Sequence, residues 1–143
     1  MIDNKPYLAG PFFNDEQLAV IARLEMLYKM HNHPFFSPRL ECFCPPKATP
    51  EQRRDTFMKN VTHIERAGYV LARIDDFDPG TMWELGYAYA HKIPLYAYTV
   101  VPDRGLNLML AESGMKLIQG WDDIGAFVAG DRDVAKLWTK EII

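Results

Sequence analysis

The chain has little cysteine, no block of positive charge and no long apolar run, and each shortage closes off a class of function. Its two cysteines, Cys42 and Cys44, flank Phe43. Cysteines at that spacing make poor disulfide partners, and with no further Cys and no suitably spaced His they offer no zinc site. They read as reduced thiols, small core or pocket-lining residues of a cytoplasmic protein. Lysine and arginine total 16 against 19 acidic residues, a net charge of −3, and no basic run stands ready to neutralise phosphates, which argues against a nucleic-acid partner. The longest apolar runs are far too short to span a bilayer, so no membrane partner is expected. The opening residues lack the charged and apolar regions of a secretory signal. Neither GxGxxG nor a Walker loop occurs, so dinucleotide binding and NTP hydrolysis lack their signatures. Internal repeats and low-complexity segments are absent too.

What is present is an ordinary globular composition, 48% hydrophobic and 24% charged, over 143 residues, enough for one domain spanning 1–143 with a real core. The chain is organised around Asp75 to Ala90. The apolar run Tyr69–Ile74 before it suits a buried central strand. Pro79-Gly80 breaks the chain, Thr81 is positioned as an N-cap, and a helix is expected from there to His91. Asp75, Asp76 and Asp78 then lie in a loop at the carboxyl end of a strand, where open α/β sheets bind ligands. Glu84 falls in the first turn of the helix, where the dipole favours its ionised form. An ionised carboxylate beside a protonated one is equipment for attack on an acetal-like carbon while the leaving group is protonated. A plainer reading stands beside this one: acids at helix starts serve as capping and dipole partners, and loop aspartates are solvated.

The rest of the chain alternates strand and helix. Lys5–Ala9 is a strand, followed by a Gly10-Pro11 turn. Asn14 caps a helix from Asp15 to about Met30, with Gln17 as the partner of a capping-box variant. Phe12 and Phe13 in the turn either stack on a planar ligand or plug the space under that helix. His31–Pro38 is a linker with a short strand at Phe35-Phe36 that Leu40–Cys44 extends, although four nearby prolines favour irregular or edge structure. Thr49, Pro50 and Gln52 cap a helix to about Ala67 with Phe57, Val61 and Ile64 as its inward stripe and Asn60 and His63 near its end. Ile93–Val101 is an apolar strand buried on both faces. Pro102–Gly105 turns the chain, Leu106–Leu110 opens a helix, Met115–Ile118 is the last strand, and a helix follows from about Asp123. Val134–Ile143 ends the chain as a helix or a frayed tail. Such alternation predicts a parallel sheet of about five strands flanked by helices.

Three separated motifs resemble those of the nucleoside 2-deoxyribosyltransferases: Tyr7-Leu8-Ala9-Gly10-Pro11-Phe12-Phe13 with Asp15 and Gln17; Asp78-Pro79-Gly80-Thr81-Met82-Trp83-Glu84-Leu85-Gly86-Tyr87-Ala88; and Asn107-Leu108-Met109. The resemblance covers most of the chain. It implies a flavodoxin-like α/β fold and a homo-oligomer whose sites are shared between subunits. The implied activity is transfer of a 2′-deoxyribosyl group between nucleobases through a covalent intermediate, without metal or cofactor. By position it makes Glu84 the nucleophile at C1′, Asp78 the group that hydrogen-bonds or protonates the departing base, and Tyr7 the residue that orients Glu84. Phe12 would lie against the base with Trp83 in the same flat-walled pocket, while Asp15 and Asn107 hold the sugar hydroxyls, Asn107 and Met109 reaching in from the neighbour. Asn60 stands where the family often has an aspartate that touches the base, so base preference is open. The chain ends Glu141-Ile142-Ile143, where family members can end in an aromatic residue.

Two other readings compete. One is a hydrolase that cleaves 2′-deoxynucleosides or their 5′-monophosphates to free base; the first loop, Gly10–Asn14, lacks the cation a monophosphate calls for. The other is a non-catalytic nucleotide-binding or receiver-type module with Mg²⁺ held at Asp75-Asp76 and Thr99 as its hydroxyl, which lacks the expected lysine. His31, His33, His63 and His91 are assigned surface or structural positions.

Overall fold

Apolar strand segments alternate with helices along the computed structural model, which describes residues 5–101 and 105–143. The elements in order are β1 (Pro6–Ala9), α1 (Asp15–Met30), α2 (Pro38–Glu41), α3 (Pro50–Arg66), β2 (Tyr69–Arg73), α4 (Pro79–Ala90), β3 (Leu95–Thr99), α5 (Leu108–Glu112), β4 (Lys116–Gln119), α6 (Gly120–Val128) and β5 (Lys136–Leu137). They form one sheet in the order β1-β2-β3-β4-β5, parallel from β1 to β4, with β5 antiparallel to β4.

Outside β1, Phe36 makes a one-residue parallel bridge to Tyr7: Leu8 N donates to Phe36 O at 2.9 Å and Phe36 N to Pro6 O at 2.9 Å. Counted as a strand, Phe36 gives the flavodoxin-like succession, second strand at the edge, then first, third, fourth and fifth. Pro34 and Pro38 stop it from lengthening, because neither can donate to a ladder. Beyond it the chain winds into α2 with Pro38 in its first turn, rather than continuing the strand through Leu40–Cys44 as the sequence suggested.

Side-chain alternation sends the two faces of the sheet to different helices. Leu8, Leu71, Tyr98 and Ile118 pack under α1 and α6 with Leu24, Tyr28, Ile124 and Phe127. Tyr7, Val70, Ala72 and Ala97 face α3 and α4 with Ile64, Leu85 and Ala88. On that second face Ala9, Ala72 and Ala97 are paired in register across three strands. This row of methyl groups beneath Leu85 and Ala88 allows α4 to lie close to the sheet, which brings its first turns over the strand ends.

Several element boundaries differ from the sequence reading. Asn107 caps α5, which starts at Leu108, and α6 begins at Gly120 rather than Asp123. Ile93–Val101 forms ladder only over Leu95–Thr99. The final segment is neither helix nor loose tail: it supplies β5, and Ile143 N then donates to Leu106 O at 3.0 Å. Ordered polar contacts decide this end of the chain, including Trp138 Nε1 to Glu141 O at 3.0 Å, and they leave no periodic signal. Of the turn expected at Pro102–Gly105, all but Gly105 lies outside the described residues. Among the described residues no helix is long and apolar enough to cross a membrane.

Candidate active site

The end of β1, the loop after β2 and the start of α4 meet above the row of alanines. Phe77 adopts the left-handed region, φ +48°, which L side chains with a Cβ occupy at a cost, and this bend delivers Asp78 to the head of α4. Asp78, not Thr81, is the N-cap: its Oδ2 accepts from Thr81 N at 2.9 Å and from Thr81 Oγ1 at 2.8 Å, and Pro79 occupies the first turn. Pro79-Gly80 therefore starts the helix instead of interrupting the chain before it.

That shift moves Glu84 from the first turn into the second, beyond the free N–H groups. The sequence expectation of a dipole-stabilised carboxylate is overturned on this point. Burial raises the Glu84 carboxyl to about 7; the Tyr7 hydrogen bond pulls it down and the nearby Asp78 charge pushes it up. Desolvation wins because a dipole acts mainly within the first turn. The fully buried Tyr7 donates its hydroxyl to Glu84 Oε2. Tyr7 itself is held well above the ordinary phenol range, first by burial and then by Glu84, so it remains a donor.

Above Glu84 lies a cavity of about 650 Å³. Phe12 and Phe13 border it from the first loop, stacked on each other at 5.4 Å. The loop is pinned by Gln17, which accepts from Phe13 N at 2.8 Å and donates to Asp76 Oδ2 at 3.0 Å. Trp83 and Phe57, which also line the cavity, meet edge to face at 5.3 Å. Cys42, Cys44, Thr56 and Asn60 also border it, with Asp78 and Glu84 as the carboxylic acids. No Lys, Arg or His lines it among the described residues.

Of the residues singled out from sequence, Glu84, Asp78, Phe12, Asn60 and Trp83 line this cavity, and Tyr7 reaches it through Glu84. Asp15 stands exposed in the first turn of α1 and is not among the lining residues. Asn107 and Met109 border a second cavity of about 650 Å³ with Phe77, Met82 and Leu85, so within one chain they do not join Glu84. Phe57 was expected to face the core; it is 44% exposed and forms cavity wall instead. Its spacing with Asn60 and Ile64 on α3 carried that information, but the sequence alone does not say which part of the stripe is roofed.

Asp75 is neither solvated nor free for Mg²⁺. It is 3% exposed, accepts from Arg73 Nε at 2.9 Å and from Val100 N at 3.0 Å, and ties the end of β2 to that of β3. Arg73 continues the pair to Glu16 at 2.6 Å. Among the described residues no group of three or more His, Cys, Asp or Glu is placed to hold a metal. The receiver-type reading therefore loses the acid it needs.

The sequence profile of the family described as nucleoside 2-deoxyribosyltransferase matches residues 6–118. Among solved structures, a 2-deoxyribosyltransferase from the psychrotolerant bacterium Bacillus psychrosaccharolyticus is 30% identical, with a TM-score of 0.78 over 94% of this chain and 99% of that one. A conserved protein from Enterococcus faecalis V583 shares the fold at 20% identity, with a TM-score of 0.70 over 87% of this chain and 96% of its own. No curated protein sequence matches the chain.

Proposed function

Because this chain belongs to the nucleoside 2-deoxyribosyltransferase family and is an enzyme of that kind, we propose that Glu84 is the nucleophile of a double displacement at the anomeric carbon of a 2′-deoxynucleoside. The pairing of Glu84 with Tyr7 at a cavity that Asp78 also lines is the observation that carries this reading. In the first displacement a Glu84 oxygen bonds to C1′ as the C1′–N bond breaks. The bond's electron pair leaves on the base, which takes a solvent proton relayed through Asp78. An incoming base then attacks C1′ through nitrogen, gives its proton back to solvent through Asp78 and releases Glu84. Two inversions retain configuration, and the close carboxylate stabilises each oxocarbenium-like transition state.

Tyr7 holds one Glu84 oxygen, so the other is the one aimed at the sugar. The aromatic walls at Phe12, Phe13 and Trp83 exclude water while the sugar is bound, which favours a second base over hydrolysis. With acids and no cation at the border among the described residues, the cavity suits an uncharged nucleoside better than a 5′-monophosphate. Asn107 and Met109 serve the site of a second subunit in this reading, Asp15 and Asn107 holding the sugar hydroxyls. Salvage of nucleosides in the cytoplasm is the corresponding role.

The test is base exchange. 2′-Deoxyuridine with hypoxanthine should yield 2′-deoxyinosine and uracil, and Glu84→Ala should abolish it. Without acceptor, intact-mass spectrometry should find one deoxyribosyl group on the protein at Glu84. Steady release of uracil that hypoxanthine does not divert would make the enzyme a hydrolase.

A further inference from the structure

Phe12 rests on the core beneath α1, whereas Phe13 is 74% exposed and stacks on Phe12 at 5.4 Å, so packing alone does not set where the tip of this wall stands. A main-chain tie does. Gln17 Oε1 accepts from Phe13 N at 2.8 Å, while Gln17 N donates to Asn14 Oδ1 at 2.9 Å. In a capping box the third helical residue reaches back to the N–H of the cap itself. Here Gln17 reaches one residue further, past Asn14 to Phe13.

The other end of the same amide binds a second loop. Gln17 Nε2 donates to Asp76 Oδ2 at 3.0 Å, in the loop between β2 and α4 that continues to Asp78. These two partners leave the amide one orientation, since a main-chain N–H only donates and an ionised carboxylate only accepts. The root of the side chain is fixed as well. Gln17 is buried, and the preceding Glu16 is paired at 2.6 Å with Arg73, a buried side chain at the end of β2 that also holds Asp75 at 2.9 Å. Gln17 therefore straps the loop bearing Phe12 and Phe13 to the loop bearing Asp78, and both loops border the cavity of Glu84.

We infer that Gln17, held by Asp76, is a positioning residue that keeps the Phe12–Phe13 wall closed on the cavity and so sets how the deoxyribosyl group on Glu84 divides between an acceptor base and water. The inference rests on the proposed base-exchange function. Between the two displacements the sugar waits on Glu84 for a base, and the site must stay dry meanwhile. Water that reaches it bonds to C1′ through oxygen, and the electron pair of the C1′–O bond to Glu84 returns to the carboxylate. A proton goes to solvent and 2-deoxyribose leaves. Hydrolysis thus scales with how often the wall stands open. A hydrogen bond to a charged partner, such as that from Gln17 to Asp76, corresponds to roughly tenfold or more in that equilibrium.

At fixed 2′-deoxyuridine and hypoxanthine, the readout is 2′-deoxyinosine formed over 2-deoxyribose released, a ratio that does not change with the amount of folded enzyme. Gln17→Ala should lower it roughly tenfold or more. Asp76→Ala, which lies outside α1, should lower it too, and the double variant should fall no further than Gln17→Ala, as expected of residues acting through one contact. Gln17→Glu sets two carboxylates against each other and should also lower the ratio. Gln17→Glu combined with Asp76→Asn restores the pair with donor and acceptor exchanged, and should return the ratio close to wild type. Hydrogen exchange read by NMR should show the Phe13 amide losing protection in Gln17→Ala and regaining it in the exchanged pair. An unchanged ratio in Gln17→Ala, a loss that the exchanged pair does not repair, or a lowered ratio with Phe13 protection intact overturns the inference and leaves base exchange standing. Where Gln17→Ala fails to fold, Asp76→Ala decides: an unchanged ratio there overturns the inference. A wild type that forms no 2′-deoxyinosine overturns base exchange itself, and this inference with it.

Discussion

Glu84 is asked to be a nucleophile while burial holds its carboxyl at about 7, so its charge state changes within the working pH range. For the free enzyme kcat/KM should rise with pH toward a plateau above about 7 and fall roughly tenfold per unit well below it, as for any essential base. Stability runs the opposite way. The folded value lies above the ordinary 4.5, so between about 4.5 and about 7 the folded state binds more protons than the unfolded one, and stability declines as pH rises through that window. Glu84→Gln should remove activity, keep the acceptor for Tyr7, and flatten the decline in Tm between pH 5 and 8. A Glu84→Gln profile parallel to the wild type would mean that another group causes the decline. Tyr7→Phe makes a separable prediction, because the Tyr7 hydrogen bond is what pulls Glu84 down. Its acidic limb should move to higher pH, with the largest loss of rate near neutrality and a smaller one at pH 9.

At the level of elements, the geometry of α4 depends on where the helix begins, and there sequence reasoning missed by one turn. Thr81 looks like a cap because it follows Pro-Gly, yet Asp78 precedes a proline that is pre-set for the first helical position, and a carboxylate accepting from a main-chain N–H and a hydroxyl outcompetes the threonine. Asp78 thus has a capping duty beside the proposed catalytic one, and substitutions can split the two. Asp78→Asn keeps an accepting oxygen for the cap, while Asp78→Ala should lower stability by about 1 kcal/mol. Both should slow transfer from donors with poorly leaving bases, if Asp78 supplies the proton. Asp78→Asn should also shift the acidic limb downward by removing a negative neighbour of Glu84. The α2 segment depends on a second pairing that no motif announced. Glu25, 2% exposed on α1, accepts from Ser37 Oγ at 2.6 Å and is paired with Arg39 through its Nε at 3.0 Å. A glutamate amid apolar helix positions reads as surface in a sequence, because its partner lies in a different element. Arg39→Ala strands that charge and should destabilise by about 3 kcal/mol in denaturant unfolding, more than Glu25→Gln, and should loosen the neighbouring segment that carries Cys42.

At the scale of the whole molecule, the alternation of strand and helix was enough to read the layers, while the edges were not. The second strand has shrunk to Phe36 between prolines, and β5 has two residues, so neither leaves a period to count. The core strands were legible because Tyr69–Arg73 is buried throughout. The candidate site was legible as motifs, but not as one pocket: Asn107 and Met109 border a cavity that does not contain Glu84. Asn107 caps α5 through Oδ1, which accepts from Met109 N at 2.8 Å, so its amide nitrogen is the end left to contact anything else. If sites are shared between subunits, as the family resemblance implies, loss of Asn107 damages the neighbour's site and loss of Glu84 damages its own. Asn107→Ala should then lower kcat/KM by roughly tenfold or more, from one lost hydrogen bond to a sugar hydroxyl in a site built to make it. Mixing Asn107→Ala with inactive Glu84→Ala under conditions of subunit exchange gives hybrids with one site that has both intact residues. For freely exchanging dimers, half the molecules are hybrids and half of their sites are whole, so activity should recover to roughly a quarter of wild type. Recovery that fails in a mixture shown by native mass spectrometry to contain hybrids would place Asn107 outside any shared site.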